Sequence, residues 1–255
     1  MLKPRKSLWI WFSPRVGSTV LCQALRDTGV AGQPEELFNI ETENGQTLAD
    51  TFGETSYQSI RAKLWERGCS ENGVMSCKDS LFTARWKPLC YEMATLRNTS
   101  DHSFESLWGD LFPNCIHVFL TRRDKIRQAV SWWKAIKSKT WHLRTGESHQ
   151  VEADFYEANY DFNALNHLFK ECVLREAATQ AYFTKNAIVP ITLVYEDWVA
   201  DFQGSIAQIL LALDEDPNRA VDVLPTLLKT ASQGSEIWVE RFRAELQTGW
   251  EKIAY

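Results

Sequence analysis

The sequence lacks several features that would have assigned it to a class at once. No stretch approaches the roughly 18 consecutive apolar residues of a membrane helix. The apolar run near the start, Leu8 to Phe12, stops at Ser13-Pro14 and is too short for a secretory signal, so no membrane span and a cytoplasmic location are expected. The 6 cysteines, at positions 22, 69, 77, 90, 115 and 172, include no Cys-x-x-Cys pair, and several lie in apolar runs. Buried free thiols are therefore expected rather than a disulfide or metal framework. The 5 histidines contain no His-Glu-x-x-His and no paired ligand spacing, so no metal is expected. There is no internal repeat, low-complexity tract or linker rich in Gly, Ser or Pro, and the 255 residues read as one domain, 1–255. Helical insertions are expected at about 40–72, 79–112 and 142–185.

What is present is ordinary globular material, with 44% hydrophobic and 24% charged residues and a net charge of -5 from 28 basic and 33 acidic side chains. Short strand-like apolar runs alternate with helix-period segments, which implies an α/β fold with a mainly parallel central sheet flanked by helices. The runs are Leu8–Phe12, Gly73–Cys77, Cys115–Thr121 and Ile188–Tyr195. The first is followed by Val20, Leu21, Ala24 and Leu25 at helical spacing up to Gly29. The third leads into Ile126, Ala129, Val130, Trp133 and Ile136, and the fourth into Ile206, Ile209, Leu210 and Leu213. A further helix is expected from Phe162 to about Ala181.

Ligands of parallel α/β sheets bind at the carboxyl ends of the strands. The turn after the first strand, Ser13 to Thr19, sets Arg15, Gly17, Ser18 and Thr19 where a strand feeds a helix N-terminus, a geometry that offers N–H groups and a positive dipole end to an anion. Its layout is that of a P-loop without the Gly-Lys-Ser/Thr ending, which favours an anion site with no obligatory metal. The alternative is that Ser18 caps the helix and Arg15 is a solvated turn residue. After the third strand, Arg122 to Arg144 holds eight Lys or Arg and one acid, a local charge of +7 in an acidic protein. That reversal suggests a small polyanion and no nucleic-acid partner, although a basic helix face in solvent would look the same. Arg122 or Arg123, with Ser131 two turns along, could converge on one phosphate. Two phosphate-sized sites suggest a nucleotide with anionic groups at both ends.

Residues 13–38, SPRVGSTVLCQALRDTGVAGQPEELF, together with 122–135, RRDKIRQAVSWWKA, resemble sulfotransferases that use 3′-phosphoadenosine 5′-phosphosulfate (PAPS), and more closely the bacterial trehalose 2-sulfotransferase-like family. Trp141-His142, Val194-Tyr195-Glu196-Asp197 and residues 238–243 add to the likeness. The resemblance implies a P-loop-NTP-hydrolase-like sulfotransferase fold, PAPS as co-substrate, a carbohydrate or glycolipid-like acceptor and a homodimer. It implies further that Arg15, Gly17, Ser18 and Thr19 cradle the 5′-phosphosulfate, that Arg122 or Arg123 holds the 3′-phosphate with Ser131, and that Glu36 is the general base. Arg15 would also carry charge developing on the leaving phosphate. In that family's loop a Ser stands where this chain has Val16.

Pro34-Glu35-Glu36 reads equally as Pro at the first helical position with acids in the first turn. Lys78 is a candidate contact to sulfate or acceptor, His142 a second candidate base, and Trp132, Trp133 and Trp141 are candidate aromatic faces for adenine or a sugar. Glu196 reads as a loop-orienting residue. The competing functions are a nucleotide-dependent kinase, against which the missing Gly-Lys-Ser/Thr argues, and a nucleotide-binding protein without turnover.

Overall fold

A computed structural model describes residues 3–80, 84–143, 154–225 and 232–252. Four strands form its sheet: β1 (Lys6–Trp11), β2 (Val74–Asp79), β3 (Cys115–Thr121) and β4 (Ile191–Val194). Their order is β2-β1-β3-β4, and every neighbouring pair is parallel. Around them run α1 (Ser18–Asp27), α2 (Leu48–Phe52), α3 (Tyr57–Gly68), α4 (Trp86–Leu96), α5 (Phe104–Leu111), α6 (Lys125–Ser138), α7 (Phe155–Ala158), α8 (Phe162–Lys185), α9 (Tyr195–Trp198), α10 (Phe202–Ala212) and α11 (Gln233–Leu246). The expected α/β class with a parallel sheet flanked by helices is the one observed. Of the expected insertions, residues 81–83 and 144–153 lie outside the described residues.

Alternation along β1 sorts the core into two layers, because successive side chains of a strand point to opposite faces. Leu8 and Ile10 pack with Leu21, Leu25, Ile206 and Leu210 beneath α1 and α10. Trp9 and Trp11 face the other way, into a cluster with Phe38, Trp86, Trp108 and Phe112. The helices of 40–72 and 79–112 cover that second face. Trp9 alone lies against six other aromatic rings, four of which, Trp86, Phe104, Trp108 and Phe112, come from the segment 79–112.

The fourth strand is shorter than its apolar run. Pro190 has no N–H to give the ladder, pairing starts at Ile191, and Tyr195 already begins α9. The third strand matches its expected range, and the first two begin and end within two residues of theirs. The six cysteines are free thiols, with Cys22, Cys77, Cys90 and Cys172 buried. Among the described residues no helix is long and apolar enough to cross a membrane.

Two connections fix the functional end of the sheet. Asp124 caps α6 by accepting from the Arg127 N–H at 2.9 Å. Four residues into the helix, the buried Gln128 donates to Ser13 Oγ and to the Pro14 carbonyl, both at 2.8 Å, which ties α6 to the turn after β1. Since β1 and β3 are neighbours whose chains leave towards different strands, the crevice between their carboxyl ends is the switch point of the sheet.

Candidate active site

A cavity of about 280 Å³ opens at that switch point. Arg15, Gly17, Ser18 and Thr19 line it from the β1–α1 turn, Arg122 from the end of β3, Ser131 from α6, and Trp141 and His142 from the segment after α6. Gly17, with φ of +82°, is the N-cap of α1, and no side chain caps the helix. Ser18 is thus the first residue of the helix and not its cap. A β-carbon at Gly17 would lie 2.6 Å from Trp198 and 3.1 Å from Tyr195, so only glycine lets the loop pass here.

Arg15 is not a solvated turn residue. Its backbone has a positive φ of 71°, uncommon for a residue with a side chain. Its Nε donates to Ser131 Oγ at 3.0 Å and its Nη1 to the Trp141 carbonyl at 2.6 Å. Burial, then the neighbouring Arg122, pushes its pKa below the usual arginine value, and Tyr195 acts in the opposite sense. Two guanidinium groups are thus held close together over one cavity, which is costly unless an anion is shared between them. Val16, between Arg15 and Gly17, points into the α1/α10 core and is fully buried. Its replacement of a serine therefore removes no group from the cavity wall.

Of the two candidate arginines at the end of β3, Arg122 faces the cavity and Arg123 does not line it. Arg122 has a side chain only 14% exposed, stacks over the Tyr195 ring at 4.8 Å and lies 3.5 Å from Glu196. Arg123 is 61% exposed and pairs with Asp197 at 2.6 Å. Glu196 also accepts the Arg123 backbone N–H at 2.9 Å, which holds the β3–α6 turn in the loop-orienting manner expected of it.

Glu36 and Lys78 sit beside the cavity and do not line it. Residues 34–38 form no helix. Instead Glu35 makes a parallel bridge to Cys77, its carbonyl takes the Lys78 N–H at 2.9 Å, and the chain runs along the edge of β2. Gly32, at φ of +78°, permits this approach, because a β-carbon there would fall 2.7 Å from the Ser76 nitrogen. The result sets Glu36 against Lys78 with Oε1 to Nζ at 3.0 Å; the carboxylate is 34% exposed and the ammonium 10%. Lys78 also lies over the Phe12 ring at 5.0 Å. His142 lines the cavity and feels the charges of both regions. Its pKa is lowered by burial first and then by Arg15 and Lys78, with Glu36 opposing, so near neutral pH the imidazole is uncharged and able to accept a proton.

The three tryptophans divide. Trp141 lines the cavity, whereas Trp132 packs among Ala129, Leu168 and Cys172 beneath Arg175, and Trp133 donates to the Asn159 carbonyl at 2.9 Å. Sequence reading missed Arg127, Lys134, Tyr195, Ser235 and Glu236 as cavity residues. For Arg127 and Lys134 a signal was there: they flank Ser131 at helical spacing and so share its face. Nothing in the sequence pointed to Glu236, which comes from α11. Among the described residues no group of three His, Cys, Asp or Glu could hold a metal ion.

A parallel α/β sheet whose switch-point cavity gathers arginines around an uncapped helix N-terminus defines an anion-transfer or anion-binding protein of P-loop-like layout. Comparison with known proteins narrows this: the chain belongs to the Stf0 sulphotransferase family, whose model matches residues 7–245. It is 28% identical over 263 residues to the trehalose 2-sulfotransferase of Mycolicibacterium smegmatis, covering 92% of this chain and 93% of that protein. It is 27% identical over 254 residues to the trehalose 2-sulfotransferase of Mycobacterium tuberculosis, covering 91% and 92% respectively. The enzyme class is thus a sulfotransferase.

Proposed function

We propose that this protein moves the sulfuryl group of PAPS to a hydroxyl of a carbohydrate or glycolipid-like acceptor, with Glu36 as general base. The carrying observation is Arg15, fixed between Ser131 and the Trp141 carbonyl inside a cavity that it shares with Arg122 and the N-terminus of α1. A sugar acceptor is favoured because the relatives above are named as trehalose 2-sulfotransferases.

The 5′-phosphosulfate would rest on the N–H groups of Gly17, Ser18 and Thr19, and Arg122 with Ser131 would hold the 3′-phosphate, with Arg123 outside at the rim. The acceptor oxygen attacks sulfur, the sulfur–oxygen bond to the 5′-phosphate breaks, and the electron pair leaves on that phosphate. Arg15 stabilises the charge that develops there, and the acceptor's proton goes to the Glu36 carboxylate. Such a transfer needs little covalent help, so rate comes from in-line placement and from charges fixed before reaction. Lys78 holds Glu36 in place from one side, and His142 lines the cavity within the field of Arg15, Lys78 and Glu36. The imidazole is the alternative proton acceptor, and Trp141 offers an aromatic face to adenine or to the acceptor ring.

Calorimetric titration with adenosine 3′,5′-bisphosphate in EDTA, with ATP as control, tests the donor. Tight metal-free binding that needs the 3′-phosphate is the expected result; binding of ATP alone, restored by Mg²⁺, would replace this reading with a kinase. We propose a homodimer on the resemblance alone, and sedimentation at the mass of a single chain would overturn it.

A further inference from the structure

Among the described residues that line the cavity, Arg15, Arg122, Arg127 and Lys134 are the cations and Glu236 of α11 is the one carboxylate. Arg127, Ser131 and Lys134 occupy positions i, i+4 and i+7 of α6 and so present one face to the cavity. Every one of these three is tied elsewhere. Ser131 accepts from Arg15, Lys134 reaches Ser232 and Ser235 of the α11 start at 3.3 and 3.5 Å, and Arg127 Nη1 contacts both carboxylate oxygens of Glu236. Arg127 also lies 2.9 Å from Asp124, which belongs to the α6 cap.

We propose that Glu236 is a counter-anion built into the nucleotide site, which competes with a phosphate dianion for Arg127 and so sets the affinity and selectivity for nucleotides carrying a second phosphate. This rests on the nucleotide reading above and names a residue of the same site. The physical basis is the balance of the two partners. Both side chains are partly exposed, at 37% and 43%, and an ion pair in such a setting contributes little net stability. A phosphate dianion brings more charge and more acceptor oxygens to the same guanidinium than a carboxylate does, so it displaces Glu236 at small cost. Glu236 meanwhile neutralises Arg127, one of the four cations among the described lining residues. Weak monoanions therefore gain nothing from Arg127, while a phosphate does. Because Glu236 sits in the first turn of α11, exchange of its partner also couples the C-terminal helix to occupancy of the site.

The test titrates the full-length protein and its Glu236→Gln, Glu236→Asp, Arg127→Met and double Glu236→Gln/Arg127→Met variants with adenosine 3′,5′-bisphosphate, adenosine 5′-monophosphate and inorganic phosphate. Glu236→Gln should bind the bisphosphate and inorganic phosphate about three- to thirtyfold more tightly. The monophosphate should change little, Glu236→Asp should stay near the parent, and Arg127→Met should weaken the bisphosphate and inorganic phosphate but not the monophosphate, and erase the gain in the double variant. Weaker or unchanged bisphosphate binding in Glu236→Gln, a gain that survives Arg127→Met, or an Arg127→Met protein that binds as the parent does would each overturn the proposal. If Glu236→Gln does not fold, Arg127→Met alone still decides. Failure of the parent to bind either nucleotide would remove the PAPS reading and with it the selectivity that rests on it, whereas a parent that binds the bisphosphate while Glu236→Gln leaves that binding unchanged would overturn the counter-anion alone.

Discussion

Lys78 Nζ stands 3.0 Å from Glu36 Oε1, although the two residues come from separate segments that meet only because residues 35 and 77 bridge at the sheet edge. The pair fixes a carboxylate that is partly exposed. Glu36→Gln is expected to keep adenosine 3′,5′-bisphosphate binding while transfer falls about 10²- to 10⁴-fold, the range of a lost general base. Lys78→Met should lower transfer by less and leave nucleotide affinity unchanged. A sulfate-transfer assay beside calorimetry checks both; transfer that survives Glu36→Gln hands the role to His142, whose substitution is then the next measurement.

Arg15 works through a fork whose two arms are already directed at Ser131 and the Trp141 carbonyl. Lysine supplies a point charge without the second arm. Arg15→Lys should therefore fold with the parent's midpoint and lose turnover, while Arg15→Ala should lose about 10²- to 10³-fold in kcat, as expected for a removed charge-stabilising donor. Steady-state kinetics at saturating acceptor separates this from weakened binding.

Gly17 combines a left-handed backbone with a wall of Trp198 and Tyr195 where a side chain would go. Gly17→Ala should destabilise by about 1–3 kcal/mol through strain alone, and by more if Trp198 cannot shift. Loss of nucleotide binding should exceed what the fraction unfolded explains. Urea unfolding run alongside titration distinguishes the two effects.

His117 of β3 accepts from Trp11 Nε1 at 2.9 Å, and burial lowers its pKa from 6.5 to about 4. Between those values the unfolded chain binds a proton that the folded protein refuses. Stability from this residue is therefore full above about pH 6.5 and falls as pH drops towards 4. His117→Gln keeps an acceptor for Trp11 without the titration, so its urea midpoint should change less with pH across that window than the parent's. Identical slopes would exclude His117 as a source of acid sensitivity.

Much of the fold was legible because it depends on short-range pattern. The apolar runs marked all four strands, and helical spacing marked α1, α6, α8 and α10. The turn between β1 and α1 was legible for the same reason: strand, glycine and helix start are contiguous from Lys6 to Asp27. Pro34-Glu35-Glu36 was not, since its helix-start pattern yields to a hydrogen bond from Lys78, more than forty residues away. Segments 40–72 and 79–112 were poorly legible because their apolar residues face a layer made by other segments.

By itself the sequence determined the class of fold, the free thiols and the residue types available for binding an anion, because these follow from composition, local period and contiguous motifs, while the family followed from the likeness that residues 13–38 and 122–135 bear to it. Only tertiary structure decided which of Arg122 and Arg123 faces the cavity. Adjacent residues leaving a strand point to different sides, so a shift of one position exchanges a buried cation for an exposed one. Tertiary structure also brought Lys78 to Glu36, sent Val16 into the core, and set Glu236 against Arg127 across 109 positions of chain. Contacts of that separation depend on how helices settle against the sheet and each other, which is fixed by burial of whole faces and leaves no mark in the local sequence.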